Sequence, residues 1–414
     1  MTSRSASDSI GRSVKQVRSV RNPRWAVLNQ SQSPAHQRML ERLSSSLGRC
    51  VLYTGAPYLA DAPSLKVVKG PAYERGSPAR RVLSWLHFLA WSTWRAARLP
   101  KNTFLLAVTN PPLLPHLAWL LKRARGISYG VLVWDIYPDL LVASGFLGRN
   151  HFVVRAWTWL NRKALDEAEL VVTLGDTMAE TLRTQLSRDR PLIVIPNWTI
   201  PDQIRPLPKE DNIFAREHGQ IGLITILYAG NIGAGHGLEK LVAAAKRLES
   251  DERLSFLVAG DGLGLETVQA EIRAHTPRNF RLVGYQSWER LPEMLATGDI
   301  AVVSQEVGLE HLSMPSKAYS SLAAGSALLA MTSPESDLGR LVATNPVGKV
   351  CNQNDASGIA SALREMVSDP SRLQELRVNA RRVAVERLSE EVAYSMWQRA
   401  LTSCIGPRSY LGFD

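Results

Sequence analysis

The sequence comprises 414 residues, enough for two or three domains of ordinary size. Hydrophobic residues make up 45% of it, which excludes a disordered or fibrous chain. No apolar run reaches about 18 residues, so no membrane-spanning helix is predicted. The three cysteines, Cys50, Cys351 and Cys404, are too far apart to form a metal site or a disulfide framework, which suits a reducing cytoplasm.

Charge is unevenly distributed along the chain, whose formal net charge is +11. Residues 1–205 contain 28 Lys and Arg against 13 Asp and Glu, whereas residues 206–414 contain 21 against 25. Nine of the eleven Trp also lie in the first half. A basic, Trp-rich half suggests an anionic partner such as a membrane or a phosphorylated acceptor, although a solvated basic face has the same composition. Nucleic acid is not expected, because no DNA- or RNA-binding motif is present.

The first segment, residues 1–24, is rich in Ser and Arg and lacks the apolar core of a secretory signal. It predicts a basic disordered arm, with a transit peptide as the alternative. From residue 25 to residue 205, short apolar runs alternate with helical patterns, an order that predicts a parallel sheet covered on both faces. The predicted strands are 25–28, 50–54, 103–108, 128–134, 170–173 and 192–195, and the helical patterns between them include 37–47 and 151–169.

A Pro-rich linker at about 196–212 leads into a second doubly wound α/β domain, residues 206–388. Its predicted strands are 221–228, 254–258, 280–283, 300–304 and 327–330, and its predicted helices are 237–248, 264–275, 288–295 and 317–324. A last helical pattern covers about 371–400. We expect residues 389–414 to form a crossover helix and tail, with Tyr394 and Trp397 packing against the first domain. Two such domains leave a cleft between the carboxyl ends of their sheets, where ligands bind.

The sharpest motif is the glycine-rich turn 230–237, between a predicted strand and a predicted helix. Glycines let the backbone approach an anion closely, and the helix N-terminus offers free N–H groups. The turn differs from a dinucleotide fingerprint, because no acid ends a second strand about 20 residues later, and it lacks the Gly-Lys-Ser/Thr of a P-loop. It predicts a diphosphate site.

Lys317 lies in the first turn of another predicted helix, directly after Ser316, which is suited to cap that helix. A cation at this end is unfavourable against the helix dipole unless an anion such as phosphate also binds there. A surface lysine beside a cap is the alternative interpretation.

Together these motifs resemble the retaining GT-B glycosyltransferases, specifically the glycosyltransferase family 4-like, group 1 enzymes of bacterial polysaccharide and lipid-linked oligosaccharide assembly. The resemblance spans about residues 25–400 and rests on segments in the family's order. These are VLVWDIYPD at 131–139, TLGD at 173–176, IPNW at 195–198, YAGNIGAGHG at 228–237, VAGDG at 258–262, LVGY at 282–285 and PSKAYSSLAAG at 315–325.

The resemblance implies a GT-B fold, in which two Rossmann-like domains face a central cleft and a C-terminal helix crosses back. The second domain then binds a nucleotide-diphosphate sugar, with UDP favoured and GDP possible, and needs no cofactor and no metal. His236 and Asn231 occupy positions where many relatives have Lys and Arg. The implied donor-site residues are Gly230, Asn231, Gly233, Gly235, His236, Gly237, Gly260, Asp261, Gly284, Tyr285, Glu310, Ser316, Lys317 and Ser320, of which Gly284 and Tyr285 meet the nucleobase and Lys317 is also catalytic.

The sequence departs from the family at the position that contacts the ribose. Many relatives have a Glu there, and this chain has Ser320, which can donate or accept a hydrogen bond without offering a charged acceptor. The acid that usually lies eight residues earlier is replaced by Leu312, and Glu310 is the nearest carboxylate. A catalytically degenerate partner subunit is therefore one alternative, and a sugar-nucleotide epimerase of the same fold is another.

Candidate acceptor residues follow three predicted strands of the first domain. Asp135 comes directly after a buried-looking strand, where a carboxylate can orient an acceptor hydroxyl or take its proton, so we predict it to be catalytic. Capping of a turn is the alternative for this residue and for Asp139. The acceptor-side candidates are Ser31, Ser33, Asn110 and Asp139, with Gln30 in the same predicted loop, residues 29–36.

Residues 80–99 predict an amphipathic helix. A polar stripe at helical spacing runs through Arg81, Ser84, His87, Ser92, Arg95 and Arg98, opposite an apolar face containing Trp85, Leu86, Leu89 and Trp94. Trp and Arg on one helix suit a membrane interface, and a buried domain helix is the alternative. We therefore predict a cytoplasmic, peripherally membrane-associated enzyme that acts on a glycan or polyprenyl-linked acceptor.

Overall fold

The computed structural model describes residues 24–74, 77–187 and 191–405. The predicted basic arm, residues 1–24, lies outside the described residues except for Arg24.

The first domain is a seven-stranded parallel sheet with helices on both faces, in the strand order β3-β2-β1-β4-β5-β6-β7. Most of its strands are buried along their whole length, as expected for a parallel sheet covered on both sides. The strands are β1 (Trp25–Leu28), β2 (Cys50–Thr54), β3 (Leu65–Lys69), β4 (Phe104–Val108), β5 (Tyr129–Val133), β6 (Leu170–Thr173) and β7 (Leu192–Val194). The helices are α1 (Pro34–Leu47), α2 (Pro78–Ala96), α3 (Leu114–Arg125), α4 (Asp139–Ala143), α5 (Phe152–Asp166) and α6 (Asp176–Gln185).

The second domain is a six-stranded parallel sheet in the order β10-β9-β8-β11-β12-β13. Its strands are β8 (Ile224–Ala229), β9 (Leu254–Ala259), β10 (Phe280–Leu282), β11 (Ile300–Ser304), β12 (Ala327–Met331) and β13 (Gly348–Cys351). Its helices are α7 (Ile213–Glu217), α8 (Leu238–Arg247), α9 (Leu265–His275), α10 (Leu291–Thr297), α11 (Lys317–Ala323), α12 (Asp337–Thr344), α13 (Ala356–Val367) and α14 (Pro370–Glu386), followed by α15 (Glu390–Ile405). Short 3-10 turns precede α7 and α10.

Two predictions about these elements were incomplete. The sequence did not predict β3 and β13, which form sheet edges and are only partly buried, so they lack a continuous apolar run. The predicted helix 371–400 is two helices, because the chain turns between Glu386 and Glu390 and Ser389 pairs with Thr199 of the first domain.

The last helix, α15, returns to the first domain and packs against α1. Arg42 of α1 forms an ion pair with Glu391 at 2.7 Å and lies over the ring of Tyr394, 4.4 Å from its centroid. Trp397 is buried and belongs to the core of the first domain. The predicted packing of Tyr394 and Trp397 against the first domain is confirmed.

The two domains meet at the carboxyl ends of their sheets. The backbone N–H of Ile136, just after β5, donates to the carbonyl of Leu312 in the second domain at 3.0 Å, and Asp135 pairs with Ser313 in an isolated bridge. On one side of this contact, the carboxylate of Asp337 accepts from the N–H of Thr177 at 3.0 Å, at the N-terminus of α6. These contacts bring Asp135 to the mouth of the second domain.

The polar stripe predicted for helix α2 is partly buried, and part of its apolar face is exposed. Ser84 and Ser92, which belong to the predicted polar stripe, are buried, and their hydroxyls donate to carbonyls of the preceding turn. Back-bonding to their own helix satisfies these hydroxyls, so both serines are buried without an unpaired polar group. Leu83, Leu86 and Trp94 are exposed instead.

Candidate active site

The glycine-rich turn lies where predicted, between the end of β8 and the start of α8. It is packed against a second turn that follows β9. A Cβ on Gly260 would lie 1.9 Å from the carbonyl oxygen of Gly230, and one on Gly262 would lie 2.3 Å from that of Ile232. Gly260 and Gly262 are therefore required for the contact between the two turns, independently of any ligand.

The rest of the turn is equally crowded. Gly235 leaves room for the side chain of Glu306, since a Cβ there would lie 2.3 Å from it. Gly237 begins α8 with φ +66°, in the left-handed region that favours glycine, and a Cβ would lie 2.7 Å from the carbonyl oxygen of Gln353. The turn is thus fixed by packing before a ligand arrives, which is what a preorganised anion site needs.

Lys317 reaches from α11 to this turn. Its ammonium donates to the hydroxyl of Tyr228 at 2.7 Å and lies 4.0 Å from the centroid of the Tyr228 ring. A Cβ on Gly230 would lie 3.8 Å from the ammonium nitrogen. In the described residues Lys317 forms no ion pair with a carboxylate, and burial lowers its pKa to about 7.

His236 folds back over the turn toward the same tyrosine. The N–H of Gly233 donates to its Nδ1 at 3.1 Å, and the Tyr228 hydroxyl lies 2.8 Å from the same nitrogen. Because Nδ1 accepts, the neutral ring carries its proton on Nε2. Burial, followed by the charge of Lys317, lowers the pKa of His236 to about 4, so the ring is neutral at physiological pH.

The remaining donor-site candidates are spread around this centre. Ser316 precedes α11 but caps nothing with its side chain, so the predicted cap is wrong; its backbone is already in the helical region. Ser320 donates to the carbonyl of Lys317 at 3.1 Å, and Glu310 is buried and accepts from the N–H of Gly308 at 2.6 Å.

Four further candidates face solvent at the rim. Asn231 and Asp261 are exposed in the two glycine turns, with the Asp261 carboxylate accepting from the N–H of Gly262 at 2.7 Å. Gly284 has a left-handed φ of +67°, and Tyr285 after it is exposed. A base could contact this segment without displacing any packed side chain.

Asp135 lies across the cleft from this centre, half-buried at the end of β5. Burial raises the pKa of its carboxyl to about 6. A carboxyl with this pKa is largely ionised at neutral pH and is also basic enough to take a proton from a hydroxyl in a transition state.

Asp139 lies in the first turn of α4 and accepts from the amide of Gln185 at 2.9 Å. Asn110 follows β4 and is half-buried; its backbone carbonyl accepts from the N–H of Gln30 at 2.8 Å. Gln30 is fully buried, and its side chain donates to the carbonyl of Ser84 at 3.0 Å, so it ties this loop to α2.

The predicted loop 29–36 ends early, because α1 begins at Pro34. Ser33 caps α1, accepting from the N–H of His36 at 3.3 Å, while Ser31 is half-buried before it. The His36 ring packs against Trp134 and Trp198, with centroids 5.0 and 4.6 Å away.

Sequence reasoning missed the role of Tyr228, which joins Lys317 to His236. A tyrosine buried at the end of an otherwise aliphatic strand, next to a glycine turn, was the available signal, since a buried hydroxyl needs a partner. Within the described residues, no cluster of three or more His, Cys, Asp or Glu could hold a metal ion. None of the described helices is long and apolar enough to cross a bilayer.

Comparison with known proteins gives two family matches, one for each domain. Residues 17–198 match the glycosyl transferase 4-like domain, and residues 211–383 match the glycosyl transferases of group 1. The glycosyltransferase WbjE of Pseudomonas aeruginosa is 28% identical over 270 residues, 65% of this chain and 67% of that protein. The colanic acid biosynthesis glycosyl transferase WcaI of Escherichia coli K12 is 28% identical over 253 residues, 59% of this chain and 62% of that protein.

Solved structures share the fold at low sequence identity. Sucrose-phosphate synthase from Thermosynechococcus elongatus superimposes with a TM-score of 0.71 at 16% identity, over 93% of this chain and 100% of that one. Alr3699/HepE of Anabaena in complex with UDP-glucose gives 0.68 at 13% identity, over 91% and 99%. The predicted GT-B arrangement of two Rossmann-like domains is confirmed. The chain therefore belongs to the group 1 glycosyltransferases with a glycosyl transferase 4-like first domain.

Proposed function

We propose that this glycosyltransferase moves a sugar from a nucleotide-diphosphate sugar to a glycan or polyprenyl-linked acceptor, with retention of anomeric configuration. The observation that carries the proposal is the ammonium of Lys317, directed at the Gly230 turn without a carboxylate partner in the described residues. A buried cation lacking an anion is unfavourable. A donor diphosphate in the turn supplies that anion.

The donor end of the reaction needs stabilisation of the leaving diphosphate. As the bond from the anomeric carbon to the diphosphate oxygen breaks, negative charge grows on that oxygen, and three kinds of donor surround its site. These are the Lys317 ammonium, the Nε2–H of His236 and the backbone N–H groups at the N-terminus of α8. Fixed donors in a partly desolvated site stabilise such charge strongly.

The acceptor end needs a group that receives a proton. A hydroxyl of the acceptor forms the new bond to the anomeric carbon on the face from which the diphosphate oxygen leaves, so the configuration is retained, and its proton passes to the carboxylate of Asp135. The bridge between Asp135 and Ser313 holds this carboxylate beside the second domain. This geometry supports Asp135 as the catalytic base and leaves Asp139 as an acceptor-side candidate only.

UDP is the favoured nucleotide of the donor, and GDP is the alternative. The Anabaena structures of the same fold are complexes with UDP and UDP-glucose. The relative WcaI is named for colanic acid biosynthesis, which supports a role for this chain in polysaccharide or glycoconjugate biosynthesis.

We further propose that the first domain lies on the membrane through α2 and α5. Residues 77–134 contain eight Lys and Arg and no Asp or Glu. On the outer side of α2, Leu83 and Leu86 are 67% and 49% exposed, and Phe152 at the start of α5 is 74% exposed. Leu83 and Leu86 lie within this purely cationic segment and Phe152 lies outside it, and exposed apolar side chains in a cationic domain fit an anionic bilayer surface.

The first experiment is to measure thermal stability of the protein against UDP-, GDP-, ADP- and dTDP-sugars. Binding at about 100 times Kd adds about 2.7 kcal/mol of stability, and we expect it for one base class. Stabilisation by none of them would favour the degenerate partner subunit, an alternative consistent with Ser320. Product analysis with a bound donor separates transfer from epimerisation.

A vesicle experiment tests the membrane surface. The double variant Leu83→Ser/Leu86→Ser should lose flotation with phosphatidylcholine vesicles containing phosphatidylglycerol, while its affinity for the donor is unchanged. Leu263→Ser removes a leucine that is 84% exposed on the second domain and serves as the control. Equal flotation of all three proteins would contradict the assignment of α2.

A further inference from the structure

An aromatic cluster beside Asp135 joins the cleft to the outer surface of the first domain. Tyr137, two residues after Asp135, stacks on Trp157 of α5 with centroids 5.9 Å apart and an interplanar angle of 10°. Trp85 of α2 meets the other side of Tyr137 edge-on, with centroids 6.0 Å apart at 85°. The cluster therefore bridges the catalytic strand end and two surface helices.

Arg81, one turn before Trp85 on α2, lies close enough to Tyr137 for its charge to act on the phenol. Among the residues that the structure describes, three buried N–H groups of this cluster have no hydrogen-bond acceptor: Arg81 Nε, Trp85 Nε1 and Trp157 Nε1. Arg81 also forms no ion pair with a carboxylate in the described residues. Other indole N–H groups of the described residues also lack a partner, but these three donors are grouped around one ring, where a single oxygen-rich anion would pair them.

The surroundings of the cluster indicate what this anion is attached to. The same stretch of α2 carries the exposed Val82, Leu83 and Leu86, so an apolar chain leaving the cluster would continue along these side chains toward the membrane. On its inner side the cluster reaches Asp135. A ligand that fits has a sugar near Asp135, a phosphate at Arg81 and an apolar tail outside.

We propose that Arg81, Trp85, Tyr137 and Trp157 form a subsite for the phosphate of an isoprenoid-linked acceptor. The guanidinium binds the phosphate, the two indole N–H groups donate to its oxygens, and the rings contact the sugar or the first prenyl unit. This inference rests on the proposed function, and it assigns a place to the acceptor that neither the glycine turn nor Lys317 provides.

The test is calorimetric titration of the full chain with farnesyl diphosphate, with farnesol as the uncharged probe. We expect Arg81→Gln to weaken farnesyl diphosphate binding by about tenfold or more, the equivalent of losing one charge-assisted hydrogen bond. Farnesol binding should be the same in both proteins. Arg49→Gln, which removes an exposed arginine at the amino end of β2, is the matched control and should bind like the wild type.

UDP titration of each variant separates this inference from the proposed function. If Arg81→Gln binds UDP normally and farnesyl diphosphate as tightly as the wild type, the subsite is wrong and the donor site stands. If the wild type binds no nucleotide, the proposed function is wrong, whatever the result with farnesyl diphosphate.

Vesicles of phosphatidylcholine and phosphatidylglycerol distinguish the source of the phosphate. Arg81→Gln should still float with them, and loss of flotation would point to a phospholipid headgroup and overturn the isoprenoid assignment. Trp85→Phe, which keeps the ring and removes one N–H, should weaken farnesyl diphosphate binding less than Arg81→Gln does.

Discussion

The most informative perturbation of the donor site is Lys317→Met at two pH values. The side chain keeps its length and loses its charge, so the Tyr228 ring is still covered. In the wild type, burial holds the pKa of Lys317 at about 7, and the proposed donor site requires the ammonium form to bind a diphosphate. Donor binding must therefore be coupled to protonation of this lysine, because the phosphate charge favours the cationic form.

The magnitude follows from the pKa and the contact. At pH 6 Lys317 is already protonated, and a charge-assisted hydrogen bond of about 1.5–3 kcal/mol makes the wild type bind UDP about 10- to 150-fold more tightly than Lys317→Met. At pH 8, one unit above the pKa, protonation costs about 1.4 kcal/mol, so this ratio should fall by about tenfold. Titration of UDP itself affects both proteins equally and cancels in the ratio.

Calorimetry at pH 6 and pH 8 measures both affinities, and buffers of different ionisation enthalpy count the protons. We expect the wild type to take up about one proton at pH 8 that Lys317→Met does not. Lys246→Met, at the far end of α8 in an ion pair with Glu249, is the control and should behave like the wild type. An affinity ratio that is the same at both pH values would refute the argument that Lys317 is mostly uncharged at pH 8 when no donor is bound.

Three further predictions concern the residues that support this site. Tyr228→Phe keeps the ring under the ammonium but removes the hydroxyl that accepts from it, so the affinity for UDP should fall by about three- to tenfold in the same calorimeter, less than for Lys317→Met. The rate of transfer should rise with pH through about 6 as the Asp135 carboxyl ionises, and Asp135→Asn should lose this limb together with about 10²- to 10⁴-fold of the rate, because only the deprotonated form accepts a proton. Asp337→Ala should lower the free energy of unfolding in urea by about 1–2 kcal/mol, since its carboxylate binds the N-terminus of α6 across the domain boundary, whereas the exposed Glu335→Ala should change it by less than about 0.5 kcal/mol.

Much of the fold could be read from the sequence because parallel strands buried on both faces are continuous apolar runs. β1, β2, β6 and β11 begin and end where predicted. The edge strand β3 was not predicted, since Leu65 and Val67 are buried while Lys66 and Lys69 are exposed, and this alternation is too short to distinguish from a loop.

The interior of the site was less predictable, because it depends on contacts between elements far apart in the chain. The glycines of the 260–262 segment suggested ligand contact, whereas packing of one turn on another already requires them. In the same way, Ser84 belongs to the predicted polar stripe of α2, but it is buried and its hydroxyl donates to the carbonyl of Arg81 in its own helix. The hydrophobic periodicity of a sequence indicates that a helix has two faces, but it does not indicate which face is buried against the rest of the protein.

The charge states of Lys317 and His236 explain how this site can favour the transition state over the bound donor. In the empty site the histidine is neutral and the lysine is half-protonated near pH 7, so little fixed positive charge is present. A donor diphosphate brings negative charge and fixes the proton on Lys317. When the glycosidic bond to the diphosphate breaks, one more negative charge develops on the leaving oxygen, and its attraction to the now cationic lysine increases. Only interactions that strengthen between ground state and transition state accelerate the reaction. A neutral imidazole N–H at position 236 also forms a stronger hydrogen bond as this charge grows, although its increment is smaller than that of a cation such as the lysine that many relatives have there.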